Sequence, residues 1–153
     1  MRTYSDSSFD EKRKIAGIGV VVYDDGDKKH SYNCSIKART NNEAELYAIY
    51  WASIWNENRG VIYTDSQTAI SYIKNEIKDK PRTHEQYINH MHCVYWATLI
   101  RKRGIQVEKI KGHRNIFHPH YMGNRSADLE AQEGRAKYYA NTLKLVNDKL
   151  QER

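Results

Sequence analysis

A chain of 153 residues with 39% hydrophobic and 29% charged side chains has the size and make-up of one globular domain able to bury a core. It excludes a membrane span, because no segment approaches ~20 consecutive apolar residues. Cys34 and Cys93 are too few for a disulfide framework, follow no metal-binding spacing and are read as reduced core thiols. The net charge of +6 and pI near 9.2 lean towards a polyanionic partner, and the opening Met1-Arg2-Thr3-Tyr4, lacking an apolar core, points to a cytoplasmic site, or a nuclear one in a eukaryote.

A first strand is expected over residues 1–6, running into Tyr4-Ser5-Asp6-Ser7-Ser8, with Phe9 to Lys14 as a polar loop. Ile18 to Tyr23 is rich in β-branched residues and reads as a second strand. Asp24-Asp25-Gly26-Asp27 supplies hairpin chemistry, and Ser31 to Ile36 alternates as a half-buried third strand. The period then changes. From Glu43 to Asn58, Ala44, Tyr47, Ala48, Trp51, Ala52 and Trp55 recur at helical spacing, with Asn42 as the expected N-cap and Glu45 completing a capping box.

Val61-Ile62-Tyr63-Thr64 is a short apolar run ending at Asp65, the pattern of a strand covered on both faces. Helices are expected at about 66–77 and 84–103, the second with Tyr87, Met91, Val94, Tyr95 and Thr98 as its stripe and Gly104 as its C-cap. A last strand, Ile105 to Ile110, leads into Lys111-Gly112-His113. A long loop from Arg114 to Gly123 carries His118 and His120, and a final helix from about Asn124 places Ala136, Tyr139, Leu143, Val146 and Leu150 at near-heptad spacing. The order βββ-α-β-α-α-β-α predicts a single α/β domain over 1–153: a five-stranded mixed sheet, an antiparallel meander plus parallel strands, with helices on both faces.

Asp6, Glu45, Asp65 and Asp128 each fall where a strand ends or a helix begins. Singly they have ordinary explanations: Asp65 as an N-cap, Glu45 in a capping box, Asp128 favouring a helix N-terminus, Asp6 in a turn. If the first and fourth strands are neighbours, however, Asp6 and Asp65 lie side by side, within reach of Glu45 and Asp128. Four such carboxylates cannot all ionise without cations. Hard oxygen donors in that number suit Mg²⁺, with Mn²⁺ as a substitute, and two such ions about 4 Å apart form a phosphoryl-transfer site.

Tyr4-Ser5-Asp6-Ser7-Ser8, Thr40-Asn41-Asn42-Glu43-Ala44-Glu45-Leu46, Thr64-Asp65-Ser66-Gln67, Lys111-Gly112-His113 and Asn124-Arg125-Ser126-Ala127-Asp128 resemble, in order, the signature blocks of type 1 ribonuclease H. The resemblance implies the RNase H-like fold and an endonuclease that cuts the RNA strand of RNA–DNA hybrids by two-metal-ion catalysis, leaving 5′-phosphate and 3′-hydroxyl ends. It implies Asp6, Glu45, Asp65 and Asp128 as metal ligands, with two Mg²⁺ ions, and His113 as the catalytic-loop histidine. Asn41, Asn42 and Gln67 match minor-groove contacts, and Arg39 and Thr40 phosphate contacts; a monomer is expected.

Three features depart from the commonest pattern: Ser7 stands where the family often has glycine, the loop from His113 to Asp128 is longer than in the commonest bacterial forms, and the basic insertion of many bacterial members is absent, since only residues 78–83 separate the second and third helices. Charge-based binding then falls to Lys74, Lys78, Lys80, Arg82 and Arg101 to Arg103. A DNA resolvase or transferase of the same fold, or a non-catalytic hybrid-binding module, is the alternative.

Overall fold

The computed structural model of the chain describes residues 1–110 and 116–152. Five strands, β1 (Arg2–Asp10), β2 (Ile15–Tyr23), β3 (Lys29–Lys37), β4 (Val61–Thr64) and β5 (Gln106–Lys109), form one sheet in the order β3-β2-β1-β4-β5. β1, β2 and β3 pair antiparallel, and β4 lies parallel to both β1 and β5. The helices are α1 (Asn41–Trp55), α2 (Gln67–Ile73), α3 (His84–Arg103) and α4 (Pro119–Gln151). Among the described residues, no helix is long and apolar enough to cross a membrane.

Alternation along β2 explains why the sheet is covered on both faces. Ile18, Val20 and Val22 pack with Ala44, Leu46, Ala48, Ile49 and Ala52 of α1, behind which lie Cys93, Ala97 and Ile100 of α3. On the other face Val21 joins Tyr4 of β1 and Ala127 of α4. Gly17 and Gly19 lie there too. A Cβ at Gly19 would stand 2.1 Å from the Ala127 carbonyl oxygen and one at Gly17 1.8 Å from that of Ala131, so these glycines let α4 lie directly on the backbone of the sheet.

Several expected boundaries move. β1 continues through Phe9 and Asp10, expected as loop, because Ser7, Ser8, Phe9 and Asp10 pair with Ile18, Gly17, Ala16 and Ile15. The partner strand, not intrinsic propensity, makes that segment β. The N-cap of α1 is Thr40 rather than Asn42, its Oγ1 accepting from the Glu43 N–H at 3.2 Å. In α3 the buried stripe is Cys93, Ala97 and Ile100, whereas Tyr87, Met91 and Tyr95 are exposed. The small side chains admit α1 closely, and Gly104 at φ 66° caps the helix as expected. Cys34 and Cys93 are both free thiols.

α4 begins five residues earlier than expected, with His118 as its N-cap and Pro119 in its first turn, so His118 and His120 sit at a helix start instead of mid-loop. His120 is tied into the core: its Nδ1 lies 2.6 Å from the buried Tyr4 hydroxyl and its ring 4.2 Å from that of Tyr63. The face α4 buries is Gly123, Ala127, Ala131 and Gly134. Leu143, Val146 and Leu150 of the heptad-like stripe are 62%, 50% and 59% exposed, because α4 runs for 33 residues, ~50 Å at 1.5 Å per residue, past the edge of the sheet.

Candidate metal centre and nucleic-acid face

The site is built at a notch in the sheet. β1 and β4 are in register at Tyr4↔Tyr63, which places Asp6 and Asp65 each two residues beyond a paired position. β4 stops at Thr64 while β1 runs on to Asp10, so no strand among the described residues covers that side of Asp6. Ser66, not Asp65, caps α2, accepting from the Ala69 N–H at 3.1 Å. The Asp65 carboxylate is thereby left for other work. Glu45, one turn into α1, enters from one face of the sheet, and α4 carries Asp128 on the other.

Asp6, Glu45 and Asp65 each offer an oxygen within 4.8 Å of the other two. Asp6 and Glu45 are buried, at 7% and 6% exposure, whereas Asp65 stands exposed at the mouth. Asp128 falls outside this group of three, and its Oδ2 accepts from Gln132 at 3.1 Å. Its charge still reaches the centre, raising the pKa of both Asp6 and Asp65. The sequence expectation of four carboxylates in one cluster thus becomes three within 4.8 Å of one another and a fourth acting at longer range.

The electrostatics follow from burial and like charge. Loss of hydration, then repulsion from Glu45 and Asp65, pushes the Asp6 carboxyl up to about 9. Burial, with repulsion from Asp65, pushes Glu45 to about 7, against the Ser7 hydroxyl, which donates to its Oε1 at 2.6 Å. Asp65 is raised chiefly by desolvation, with Lys109 and the Asn124 side chain acting the other way. Glu45 Oε2 is buried with no hydrogen-bond partner. An orphaned buried carboxylate oxygen, facing two further acids, fits a divalent cation held by oxygen ligands.

This gives a stability prediction for the metal-free protein. Asp6 and Glu45 titrate near ~3.9 and ~4.3 when unfolded, so the folded state binds protons the unfolded chain releases. Stability is then lost as pH rises from those values through about 7 for Glu45 and about 9 for Asp6. The melting temperature in chelator should fall between pH 6 and pH 9, and Mg²⁺ should flatten the slope by neutralising the cluster. A chelated protein whose melting temperature is level or rises over that range would contradict the arrangement.

The hybrid-facing candidates lie beside this centre. Thr40, Asn41 and Asn42 form the N-terminal end of α1, with both asparagines exposed. Gln67 opens α2, exposed, its Nε2 3.3 Å from Ser71 Oγ. Arg39 donates through Nε to Asn89 Oδ1 at 2.8 Å. Thr40, Asn42 and Asn89 share a cleft of about 770 Å³ with Lys78, Lys80 and Arg82. Arg101 and Arg103 do not belong to this face: they lie at the far end of α3, bonded to the Tyr72 and Ile73 carbonyls and to Asn58. His113 lies outside the described residues. Sequence reasoning missed Ser7 as the group holding Glu45 and Asn124 as a neighbour of Asp65, although both stand in the quoted motifs.

The sequence matches the RNase H family over residues 1–136. The chain belongs to the ribonuclease H family. Ribonuclease H1 of Homo sapiens is 32% identical over 141 residues, which are 84% of this chain and 46% of that protein. Ribonuclease H of Schizosaccharomyces pombe is 27% identical over 136 residues, 83% of this chain and 48% of the relative. The chain therefore spans about half the length of the curated relatives it matches.

The ribonuclease H fold is equally plain in solved structures. RNase H1 from the archaeon Halobacterium salinarum superposes with a TM-score of 0.60 at 17% identity, covering 89% of this chain and 97% of that one. LC11-RNase H1 in complex with an RNA/DNA hybrid superposes with a TM-score of 0.58 at 21% identity, covering 90% and 98%.

Proposed function

We propose that this chain is a divalent-metal-dependent endonuclease that hydrolyses the RNA strand of RNA–DNA hybrids. The observation that carries the reading is the convergence of Asp6, Glu45 and Asp65 within 4.8 Å at the notch, beside the exposed N-terminus of α1, in a ribonuclease H chain. Pure binding of a polyanion gains nothing from a buried carboxylate cluster, which repels phosphate.

Asp6, Glu45 and Asp65 would hold the ions, Mg²⁺ or Mn²⁺, with Asp128 as the outlying fourth acid. Cations bound there supply charge neutralisation at the reacting phosphodiester and a more acidic water. Ser7 fixes the Glu45 carboxylate through Oε1 and leaves Oε2 directed elsewhere. The N-terminus of α1, carrying the partial positive charge of its unpaired N–H groups, suits a phosphate, and Arg39 and Thr40 flank it. Asn41, Asn42 and Gln67 offer both donors and acceptors to the shallow A-like minor groove, where 2′-hydroxyls mark the RNA strand. Water adds to phosphorus and the bond to the 3′-oxygen breaks, giving a 5′-phosphate and a 3′-hydroxyl. His113 is the group able to carry the proton that the departing oxygen takes up.

Labelled hybrid, RNA duplex and DNA duplex, each with and without Mg²⁺, test this directly. Only the RNA strand of the hybrid should be cut, and only with metal. Cleavage of DNA would point instead to a resolvase or transferase chemistry, and binding without cleavage to a recognition module.

A further inference from the structure

Among the described residues outside the acidic centre, one other carboxylate is deeply buried, near the α1 N-terminus. Glu43, 7% exposed, lies three residues after the Thr40 cap, and its two oxygens face three partners. Oε1 accepts from the Arg39 backbone N–H at 2.8 Å. Oε2 accepts from the Trp96 indole N–H at 3.2 Å and lies 3.0 Å from His92 Nδ1. Arg39 is held a second time, through its side chain to Asn89. Asn89, His92 and Trp96 follow at i, i+3 and i+7, one face of α3.

This is more than helix capping requires. In an ordinary capping box the acid reaches back to the N–H of the cap residue itself. Here it reaches one residue further, to Arg39, and spends its second oxygen on α3. A buried carboxylate is costly unless its oxygens are partnered, and the three partners of Glu43 hold one geometry: the turn entering α1 is fixed against α3. That turn carries Arg39, Thr40, Asn41 and Asn42, and Glu45 follows three residues later.

We infer that Glu43 is a positioning residue: by tying Arg39 and the α1 cap to Trp96 and His92, it presents the Arg39–Asn42 turn to the hybrid. The inference rests on the hybrid-nuclease reading above. Losing the tie weakens substrate engagement rather than chemistry, because the hydrogen bonds of this carboxylate go to Arg39, His92 and Trp96 and not to the metal-holding acids.

Steady-state kinetics on a labelled hybrid with Mg²⁺ test it, using wild type, Glu43→Ala, Glu43→Gln and, as a control, Ile100→Val in the α1–α3 core. Glu43→Ala should raise KM roughly tenfold and change kcat by less than about twofold, as expected for displaced substrate contacts. Glu43→Gln, which keeps an oxygen for one donor, should give an intermediate KM. Ile100→Val should lower the melting temperature with KM unchanged, separating positioning from loss of stability. A Glu43→Ala KM equal to that of wild type or of Ile100→Val would overturn the inference, as would a fall in kcat alone. Should Glu43→Ala fail to fold, Glu43→Gln and Trp96→Phe carry the same comparison, and unchanged KM in both overturns it. A wild-type chain that leaves the hybrid intact overturns the function itself, whereas an active wild type with an indifferent Glu43 overturns only the positioning role.

Discussion

Replacing Asp65 with asparagine is expected to lower hybrid hydrolysis by on the order of 10³-fold, since a cation site supplies several kcal/mol of charge stabilisation and each 1.36 kcal/mol is tenfold in rate. The substitution removes one charge at almost constant shape. Asp65 is exposed at the mouth of the site, and Ser66 rather than Asp65 caps α2, so neither core nor cap is lost. The same change relieves repulsion on Asp6, whose carboxyl is raised partly by the Asp65 charge. The metal-free variant should therefore melt higher than wild type. Rates measured with saturating Mg²⁺ and melting curves in chelator check both halves; a variant cutting hybrid at near wild-type rate would remove Asp65 from the metal centre.

Gly19→Ala, like Gly17→Ala, should be among the most damaging single methyls in the sheet. Its Cβ would stand 2.1 Å from the Ala127 carbonyl oxygen and 2.5 Å from the Ala131 backbone nitrogen, both on α4. Backbone in a packed helix cannot swing aside as a side-chain tip can, so α4 must move off the sheet. Overpacking of this kind costs about 3 kcal/mol or more. Asp128 adjoins Ala127, so the shift also withdraws the fourth acid from the notch. Denaturant unfolding should show the loss in stability, and hybrid cleavage at a temperature where the variant remains folded should show the second effect. A variant as stable as wild type would mean that α4 does not bear on Gly19.

Much of this was legible in the chain. Val61 to Thr64 reads as a covered strand because it is apolar on both faces, and Asp65 follows because a strand end opens the sheet to solvent. Gly104 reads as a helix stop because the left-handed conformation of a helix C-cap favours glycine. The helix between the meander and β4 likewise shows β4 returning to the same sheet, with Asp6 and Asp65 side by side only if that return is to β1, as the pairing has it. These are local or topological constraints, which sequence carries directly.

What only the tertiary structure decided depends on partners distant in the chain. Ser7 to Asp10 are strand because β2 lies beside them, not because they favour it. The buried faces of α3 and α4 are set by small residues, Cys93 and Ala97 in one and Gly123, Ala127, Ala131 and Gly134 in the other, where backbones approach; periodicity instead favours the larger residues that remain exposed. The separation of Asp128 from the three clustered acids, and the reach of Glu43 to Trp96 of α3, depend on how elements tens of residues apart pack together. Sequence spacing fixes neither, because both arise only when packed helices settle against the sheet.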